Sequence, residues 1–263
     1  MTFSAANFVL REVSGRGIVK LTMNHPKSFN ALSERMIESM IAELTSVASD
    51  PNARVVVIAG AGKAFCAGHD LREMKQTPTL EYYKGLFRRC SLMMQIIYTM
   101  RQPVVCQVQG IATAAGCQLV SMCDLAVASR DAKFAVSGIN YGLFCSTPAV
   151  GLSRNMSRKH AMQMLLTGDF IDAQTAMQRG LVNTVTAPEE LEQEVLRLCG
   201  AIASKPAAAI GMGKELFYKQ LNAASIADAY DLAEDVMARN MMHGCAQEGF
   251  QAFLEKRSPK WED

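Results

Sequence analysis

Three nearly uninterrupted apolar runs constrain the fold most: residues 54–59 (RVVVIA), 103–108 (PVVCQV) and 124–128 (DLAVA). None shows the apolar–polar alternation of a strand with one face in water. Each therefore predicts a strand covered on both faces, as in a parallel sheet between helices. Helical patterns lie between the runs, at residues 80–100 and 114–122. The sequence thus predicts an α/β core with mostly parallel strands.

The N-terminal part predicts a hairpin and a capped helix. Residues 8–23 contain two strand-like stretches around a turn at residues 14–17. Ser33 then precedes an apolar stripe at helical spacing that runs from Met36 to Val47. We expect Ser33 to be the N-cap of this helix.

The C-terminal part is predicted to be almost wholly helical. A single strand is predicted at residues 181–185. The helical patterns cover residues 156–166, 173–179, 189–203, 206–221, 225–240 and 244–256. We therefore divide the chain into an α/β core, residues 1–190, and a helical region, residues 191–263. The helical region could fold back on its own core or pack on a neighbouring subunit.

Composition excludes several classes of function. With 263 residues and a net charge of +2, the chain can bury a large core, and its charge gives no case for nucleic acid or a membrane surface. A local cationic pocket for a phosphorylated ligand stays possible. The eight cysteines form no CxxC pair, and the four histidines share no ligand spacing with them. These patterns predict reduced, buried cysteines and no metal site.

Targeting and membrane signals are not evident in the sequence. No run of about 18 apolar residues predicts a span of a bilayer. The N-terminal segment MTFSAANF has neither the apolar stretch of a signal peptide nor an Arg-rich transit pattern.

Two loops of small residues share one physical design. Residues 67–70 (AGHD) follow one apolar strand and open a helix, and residues 110–117 (GIATAAGC) follow the next strand and do the same. Small side chains let a ligand reach peptide N–H groups, and helix N-termini carry unpaired donors with partial positive charge. Two such donors aimed at one oxygen form an oxyanion hole. Each loop alone is more typical of a tight turn than of a binding site.

The same segments carry a family resemblance. Residues 63–74 (KAFCAGHDLREM) and 102–129 (QPVVCQVQGIATAAGCQLVSMCDLAVAS) resemble the two signatures of the crotonase, or enoyl-CoA hydratase/isomerase, superfamily. Residues 24–33 (NHPKSFNALS), 166–185 (LTGDFIDAQTAMQRGLVNTV) and 248–261 (EGFQAFLEKRSPKW) fit the same family. The resemblance spans nearly the whole chain and is closest to a mitochondrial member.

The resemblance implies an architecture and a substrate class. It implies a crotonase-like spiral of strand–strand–helix repeats and a C-terminal helical trimerisation region, giving homotrimers or dimers of trimers. It also implies acyl-CoA thioesters as partners in fatty acid and lipid metabolism, with coenzyme A as part of the substrate and no separate cofactor. A mitochondrial location follows by the same resemblance.

Carried over residue by residue, the resemblance predicts a site. The oxyanion donors are the main-chain N–H groups of His69 and Ala115, where Ala115 replaces a family glycine and is tolerated if its φ is negative. The expected substrate and CoA contacts are Lys27, Ser28, Phe29, Ala67, Asp70, Leu71, Arg72 and Tyr141.

The basis of these contacts differs from residue to residue. Lys27 and Arg72 suit phosphate oxygens. A solvated surface cation is an equal alternative for Lys27 and the favoured one for Arg72. Only the family resemblance suggests that Phe250 and Lys256 could reach a CoA. Tyr141 could touch the acyl group, act as a weak acid, or only shape the pocket together with Cys145.

The family pattern breaks at the acid and base of a hydratase. The two glutamates that a hydratase uses align with Gln118 and Gly138, and neither residue exchanges a proton usefully. General acid–base catalysis contributes about 10² to 10⁴-fold per group. We therefore expect a thioester-binding protein that stabilises an enolate but does not hydrate enoyl-CoA efficiently.

Alternatives stay open at this point. His69 resembles the histidine of malonyl-type decarboxylases and could pair with a substrate carboxylate, or its ring could face outward while only its N–H works. If active, the chain would be a lyase, isomerase or decarboxylase; if inactive, it would carry acyl-CoA or regulate its use. Asp70 and Glu73 form a D-x-x-E pattern, which predicts a helix cap rather than a base.

Overall fold

The computed structural model describes residues 7–261, and its strands form two sheets. Residues 1–6, which hold most of the N-terminal segment MTFSAANF, and residues 262–263 lie outside this range. In order across the larger sheet, the strands are β1 (Val9–Ser14), β2 (Ile18–Met23), β3 (Val55–Gly60), β5 (Val104–Val108), β7 (Leu125–Ser129) and β10 (Thr184–Thr186). Only the β1–β2 pair is antiparallel in this sheet. The predicted hairpin and mostly parallel α/β core are confirmed.

The smaller sheet was not predicted. Its strands, in order, are β4 (Ala64–Cys66), β6 (Ile111–Thr113), β8 (Lys133–Ala135) and β9 (Ile171–Asp172). Strands of two or three residues are too short to show any periodicity. The loop predicted at residues 110–117 therefore contains β6, which pairs in parallel with β4. This pairing ties the two loops of small residues to one another.

Most predicted helices are present, with shifted ends. The helices are α1 (Glu34–Ala48), α2 (Leu71–Gln76), α3 (Leu80–Thr99), α4 (Ala115–Met122), α5 (Ser146–Asn155), α6 (Arg158–Thr167), α7 (Ala173–Gln178), α8 (Leu191–Ala203), α9 (Ala207–Gln220), α10 (Ile226–Met242) and α11 (Gly244–Leu254). Helix α5 was not predicted from the sequence. Its Pro148 lies in the first turn, where proline is tolerated. The predicted strand at 181–185 is displaced, because β10 occupies Thr184–Thr186.

Helices cover both faces of the larger sheet, as the apolar strands predicted. Helix α1 begins as expected, since the Ser33 hydroxyl accepts from the main-chain N–H of Met36, and it buries its apolar stripe. On the opposite face, α8 packs Leu191, Val195 and Cys199 against the sheet. The boundary at residue 190 stays a prediction.

A buried ion pair fixes α9 to the core. Lys214 Nζ donates to Asp124 Oδ2 at 2.6 Å and to the carbonyls of Ile97 and Gln102 at 2.9 Å. The Tyr218 hydroxyl donates to the other oxygen of Asp124 at 2.7 Å. Burial lowers the pKa of Lys214, and the charge of Asp124 opposes this shift. Helix α9 therefore folds back on its own core.

Helix α10 differs from the helices of the core. None of its residues is buried in the chain, and Tyr230 and Met237 are more than 60% exposed. Within residues 7–261, no single helix is long and apolar enough to cross a membrane, although the bent pair Pro188–Ala203 and Ala207–Gln220 has the length and composition together.

Candidate functional site

The AGHD segment is anchored to the loop before α1. The carbonyl of Gly68 accepts from the N–H of Leu32 at 2.7 Å, and Leu32 and His69 form a parallel β-bridge. The buried amide of Asn30 donates to the carbonyls of Ala61 and Ala64 at 2.8 and 2.9 Å. Sequence reasoning missed Asn30. Its left-handed φ of +53° is a conformation that asparagine adopts more readily than most residues, which was the available signal.

The second segment enters its helix through a strained residue. Ala114 has φ +49° and ψ −119°, and its N–H is held by the carbonyl of Ala135 at 3.0 Å. Strain of this kind persists where the surrounding structure enforces it. Ala115 is not among the residues with positive φ, so the condition set for an alanine at this position is met.

The two segments touch through their backbones. A Cβ on Gly68 would lie 2.9 Å from the Cβ of Ala114 and 3.3 Å from the nitrogen of Ala115. Among residues 7–261, no acceptor pairs with the N–H of His69 or of Ala115. The Ala115 nitrogen therefore lies close to Gly68, the residue that precedes His69 in the chain.

A cavity of about 280 Å³ lies against these segments. Its wall is mostly apolar, and the part of the chain that the structure describes contributes no Asp, Glu, Lys or Arg to it. Its lining residues are Ala67, His69, Leu71, Met74, Phe87, Thr113, Ala114, Ala115, Ser137, Gly138, Tyr141, Leu143, Phe144, Cys145, Ser146, Thr147 and Pro148. Such a lining suits an acyl chain with few polar groups.

The imidazole of His69 stands in the wall of this cavity. Its Nδ1 lies 3.4 Å from the carbonyl oxygen of Leu32, and its ring meets Phe87 edge-on with centroids 5.4 Å apart. Its Nε2 is buried and has no hydrogen-bond partner in the described chain. Burial lowers the pKa of His69, and the Leu32 carbonyl opposes this shift. The ring therefore does not face outward.

The two positions aligned with the hydratase glutamates have different surroundings. Gln118 is 4% exposed, its Oε1 lacks a partner, and it is not among the residues that line the cavity. Gly138 does line it, but a Cβ there would lie 2.5 Å from the carbonyl of Leu143 and 2.7 Å from Cys145 Sγ. The thiol of Cys145 thus fills the space next to position 138.

The cysteines behave as predicted for buried thiols. All eight are buried and unpaired with one another. Burial raises the pKa of Cys66 and of Cys117 to about 12, and it raises the pKa of Cys145 despite a hydrogen bond from the main chain of Gly138. Residues 7–261 contain no cluster of three His, Cys, Asp or Glu that could hold a metal.

The expected CoA contacts divide into two sets. Ala67, Leu71 and Tyr141 line the cavity, with Tyr141 77% exposed at its edge. The others lie outside the lining. Lys27, Phe29 and Arg72 are exposed, Ser28 and Asp70 are half-buried, and Phe250 and Lys256 are exposed on or after α11.

The capping prediction at Asp70 holds only in part. The Asp70 carboxylate accepts from the N–H groups of Arg72 and Glu73 at 2.9 and 3.3 Å, as an N-cap does. The reciprocal half is wrong, because the Glu73 carboxylate accepts from the N–H of Glu34 at 2.9 Å instead. Glu73 therefore links the starts of α1 and α2.

The fold and the candidate site agree with one protein family. The sequence model of the enoyl-CoA hydratase/isomerase family matches residues 14–263, and the chain belongs to this family, the crotonase superfamily. Its fold is the acyl-CoA-binding fold of that family, and the strand–helix repeats with C-terminal helices are those of its solved members.

Three known proteins show which members of the family the chain resembles. The chain is 42% identical over 245 residues to Xenopus laevis enoyl-CoA hydratase domain-containing protein 3, mitochondrial, covering 93% of this chain and 83% of that protein. The crystal structure of the human domain-containing protein 3 matches with a TM-score of 0.93 at 40% identity, covering 97% and 100% of the two chains. A solved enoyl-CoA hydratase from Mycobacterium smegmatis matches with a TM-score of 0.95 at 54% identity, covering 97% and 98%.

Proposed function

We propose that this chain binds an acyl-CoA thioester and stabilises its enolate between the N–H groups of His69 and Ala115. The observation that carries the proposal is the contact of the two segments, with both N–H groups free of acceptors beside an apolar cavity. Enolate formation places negative charge on the thioester oxygen. One oxyanion-hole donor is worth about 3 kcal/mol in such a site.

The reaction we propose is not efficient hydration. Addition of water needs a group that takes a proton from water and a group that supplies one to carbon, and positions 118 and 138 carry neither. Reactions that form the enolate without a strong base fit the site better. Membership of a family named for enoyl-CoA hydratase and isomerase supports fatty acid metabolism as the setting, and the mitochondrial names of the relatives support that location.

Decarboxylation of a malonyl-type CoA is the second candidate, because the loss of CO₂ forms the enolate without the base that positions 118 and 138 do not supply. In this reaction the C–C bond to the carboxylate breaks, CO₂ leaves, and the electron pair forms the enolate. The α-carbon then takes a proton. A third reading, a carrier or regulator that binds acyl-CoA without turnover, uses the same donors.

One panel separates these readings. The purified chain is incubated with crotonyl-, butyryl-, methylmalonyl- and ethylmalonyl-CoA, and products are followed by mass spectrometry beside a binding measurement. We expect binding of butyryl-CoA and little 3-hydroxyacyl-CoA from crotonyl-CoA. CO₂ release that drops strongly in His69→Ala would select decarboxylation, and binding without any product would select the carrier. Failure to bind any of the four would overturn the proposal.

We also propose that the chain assembles as a homotrimer, alone or paired into a hexamer, through its C-terminal helices. The exposed apolar residues of α10 and α11 support this, with Phe253 80% exposed. Light scattering should give three or six times the 28.7 kDa chain mass. Phe253→Glu should lower that mass, whereas Val13→Glu, at a 64% exposed position on β1, should not. A monomeric chain would contradict the assembly.

A further inference from the structure

Two hydroxyl groups form a pair in the wall of the mostly apolar cavity. Thr113 Oγ1 lies 3.0 Å from Ser137 Oγ, which is a hydrogen-bond distance. Both residues line the cavity, and both are half-buried rather than enclosed in the core. The pair is therefore a polar feature that a molecule in the cavity can contact.

The local chain turns both residues away from the hydrophobic core. Side chains alternate between the two faces of a strand, and Ala112, directly before Thr113 on β6, is fully buried in the core. Val136, directly before Ser137, is also fully buried there. The parallel pairing of Thr113 with Ala135 brings the ends of β6 and β8 side by side. The two hydroxyls therefore meet on the side of these strands that faces away from the core.

The pair adjoins the segments proposed to hold the thioester oxygen. Thr113 precedes Ala115 by two residues, and its carbonyl oxygen would lie 3.1 Å from a Cβ on Gly68. The hydroxyl pair and the proposed donors therefore belong to the same part of the cavity wall. We expect C2 and C3, the acyl carbons next to the thioester, to be the atoms of the acyl chain nearest to the pair.

The hydrogen bond between the two hydroxyls leaves one hydrogen unused. Whichever hydroxyl donates, the other accepts and keeps its own hydrogen. Within residues 7–261, Thr113 Oγ1 and Ser137 Oγ have no other hydrogen-bond partner. The pair can therefore donate one hydrogen bond to a ligand and can also accept one through a free lone pair.

The charge of the cavity wall decides between the oxygen groups that such a pair could bind. The described lining includes no Lys or Arg, so a carboxylate would leave water without meeting a cation, which is unfavourable. A ligand hydroxyl is neutral, and it accepts the unused hydrogen while donating its own to a free lone pair. The pair therefore matches a hydroxyl better than a carboxylate.

We propose that the Thr113–Ser137 pair binds a hydroxyl on C2 or C3 of the acyl group. The preferred ligand is then a hydroxyacyl-CoA, ahead of the plain acyl-CoA and of its malonyl-type analogue. The inference rests on the proposed thioester site and deepens it by naming the chemical class of the acyl group.

The test compares four ligands and four proteins. Dissociation constants are measured for butyryl-, 2-hydroxybutyryl-, 3-hydroxybutyryl- and methylmalonyl-CoA, with each hydroxy ligand in both enantiomers. The proteins are wild type, the double variant Thr113→Val with Ser137→Ala, Thr113→Ser, and Ser153→Ala. The double variant removes both hydroxyls with little change in size, whereas Thr113→Ser keeps a hydroxyl at each position. Ser153→Ala removes an exposed hydroxyl on α5 that lies outside the cavity lining.

One hydrogen bond predicts a preference of roughly two- to tenfold for one hydroxy ligand over butyryl-CoA in the wild type. The preference should persist in Ser153→Ala and in Thr113→Ser, and it should vanish in the double variant. Butyryl-CoA should bind all four proteins alike, which also shows that the variants are folded. Methylmalonyl-CoA should bind more weakly than butyryl-CoA.

A crystal structure of the wild type with the preferred ligand provides a test without any variant. The ligand hydroxyl oxygen should lie within about 3.2 Å of Thr113 Oγ1 or Ser137 Oγ. A ligand hydroxyl bound elsewhere in the cavity would overturn the inference.

Two results of the binding series would overturn it as well: a hydroxyl preference that survives in the double variant, or tightest binding of methylmalonyl-CoA. The proposed function fails in a different way. If all four proteins bind butyryl-CoA but the hydroxyl adds nothing, only the role of the pair is wrong. If none of the four proteins binds any thioester, the thioester site is wrong, and the inference fails with it.

Discussion

Gly68 shows how a single residue can hold the site in shape. Its φ of +88° is a conformation that L side chains rarely adopt, and the space for a Cβ is already taken by Ala114 and the nitrogen of Ala115. From the sequence we expected two loops of small residues, with the N–H groups of His69 and Ala115 as donors. The contact between these loops could not be predicted, because Gly68 and Ala115 meet only through the pairing of two strands that are too short to leave a pattern.

Gly68→Ala should therefore damage stability and binding together. The left-handed φ alone costs an alanine roughly 1 kcal/mol, and the contact with Ala114 adds to it. Gly142→Ala is the matched control, since Gly142 has φ +78° with open space around it. Urea unfolding should show that Gly68→Ala is less stable than Gly142→Ala. The Gly68→Ala variant should also bind butyryl-CoA more weakly. Equal stability of the two variants would refute a close contact.

Restoring the missing carboxylates should fail at position 138. Gly138→Glu would place its Cβ within 2.5 Å of the Leu143 carbonyl and 2.7 Å of Cys145 Sγ. Overpacking of this kind costs about 1 to 3 kcal/mol. We expect the double variant Gln118→Glu with Gly138→Glu to unfold at lower urea and to leave crotonyl-CoA unconsumed in an absorbance assay.

Adding Cys145→Ala to that double variant is the control. It relieves only one of the two clashes, because the Leu143 carbonyl belongs to the backbone. Rapid hydration by the double variant with unchanged stability would show that position 138 has room for an acid.

The buried His69 should also make stability depend on pH. Its pKa is lowered in the folded state from the ordinary 6.5, so below that pH the unfolded chain binds more protons than the folded one. The free energy of unfolding should thus fall as pH drops from 7.5 through 6.5 toward the folded pKa. Urea titrations across this range should give a steeper fall for wild type than for His69→Phe. Parallel curves for the two proteins would contradict a buried, neutral ring.

At the scale of elements, the length of each helix or strand determined whether it could be predicted from the sequence. The long helices α1, α3 and α8 to α11 and the strands β3, β5 and β7 carry apolar patterns over five residues or more, and the sequence located them within a few residues. Strands β4, β6, β8 and β9 carry two or three residues each and were missed. The docking of α9 was also beyond pattern reasoning, since nothing local marks Lys214 as buried rather than exposed like Lys219 on the same helix.

These two lysines give a matched test of that docking. Lys214→Met leaves the Asp124 carboxylate with only the Val104 N–H and the Tyr218 hydroxyl as partners, and no cation. Loss of one member of such a buried pair costs about 3 to 5 kcal/mol. Lys219→Met removes an exposed pair with Glu215, where the cost is at most about 1 kcal/mol. Thermal or urea unfolding should separate the two variants clearly. Similar stabilities would show that α9 is not held by the Asp124 pair.

At the scale of the whole molecule, the resemblance and the physical pattern agree on the fold for different reasons. Apolar strands predicted a covered parallel sheet, and the family signatures predicted the spiral and the two loops that meet at the cavity. The substrate's acyl group could not be predicted from either, because the cavity wall is assembled from α2, α3, β6 and α5, which lie far apart in the sequence.

The central claim concerns two peptide N–H groups and one thioester oxygen, and the carbonyl stretch of a bound ligand reports on it most directly. Isotope-edited infrared difference spectra compare butyryl-CoA labelled with ¹³C at its carbonyl, free and bound. The account predicts a band that moves to lower frequency on binding, by the same amount in wild type and in His69→Ala, because the donor is the main chain. A bound carbonyl that keeps its free frequency would contradict the account.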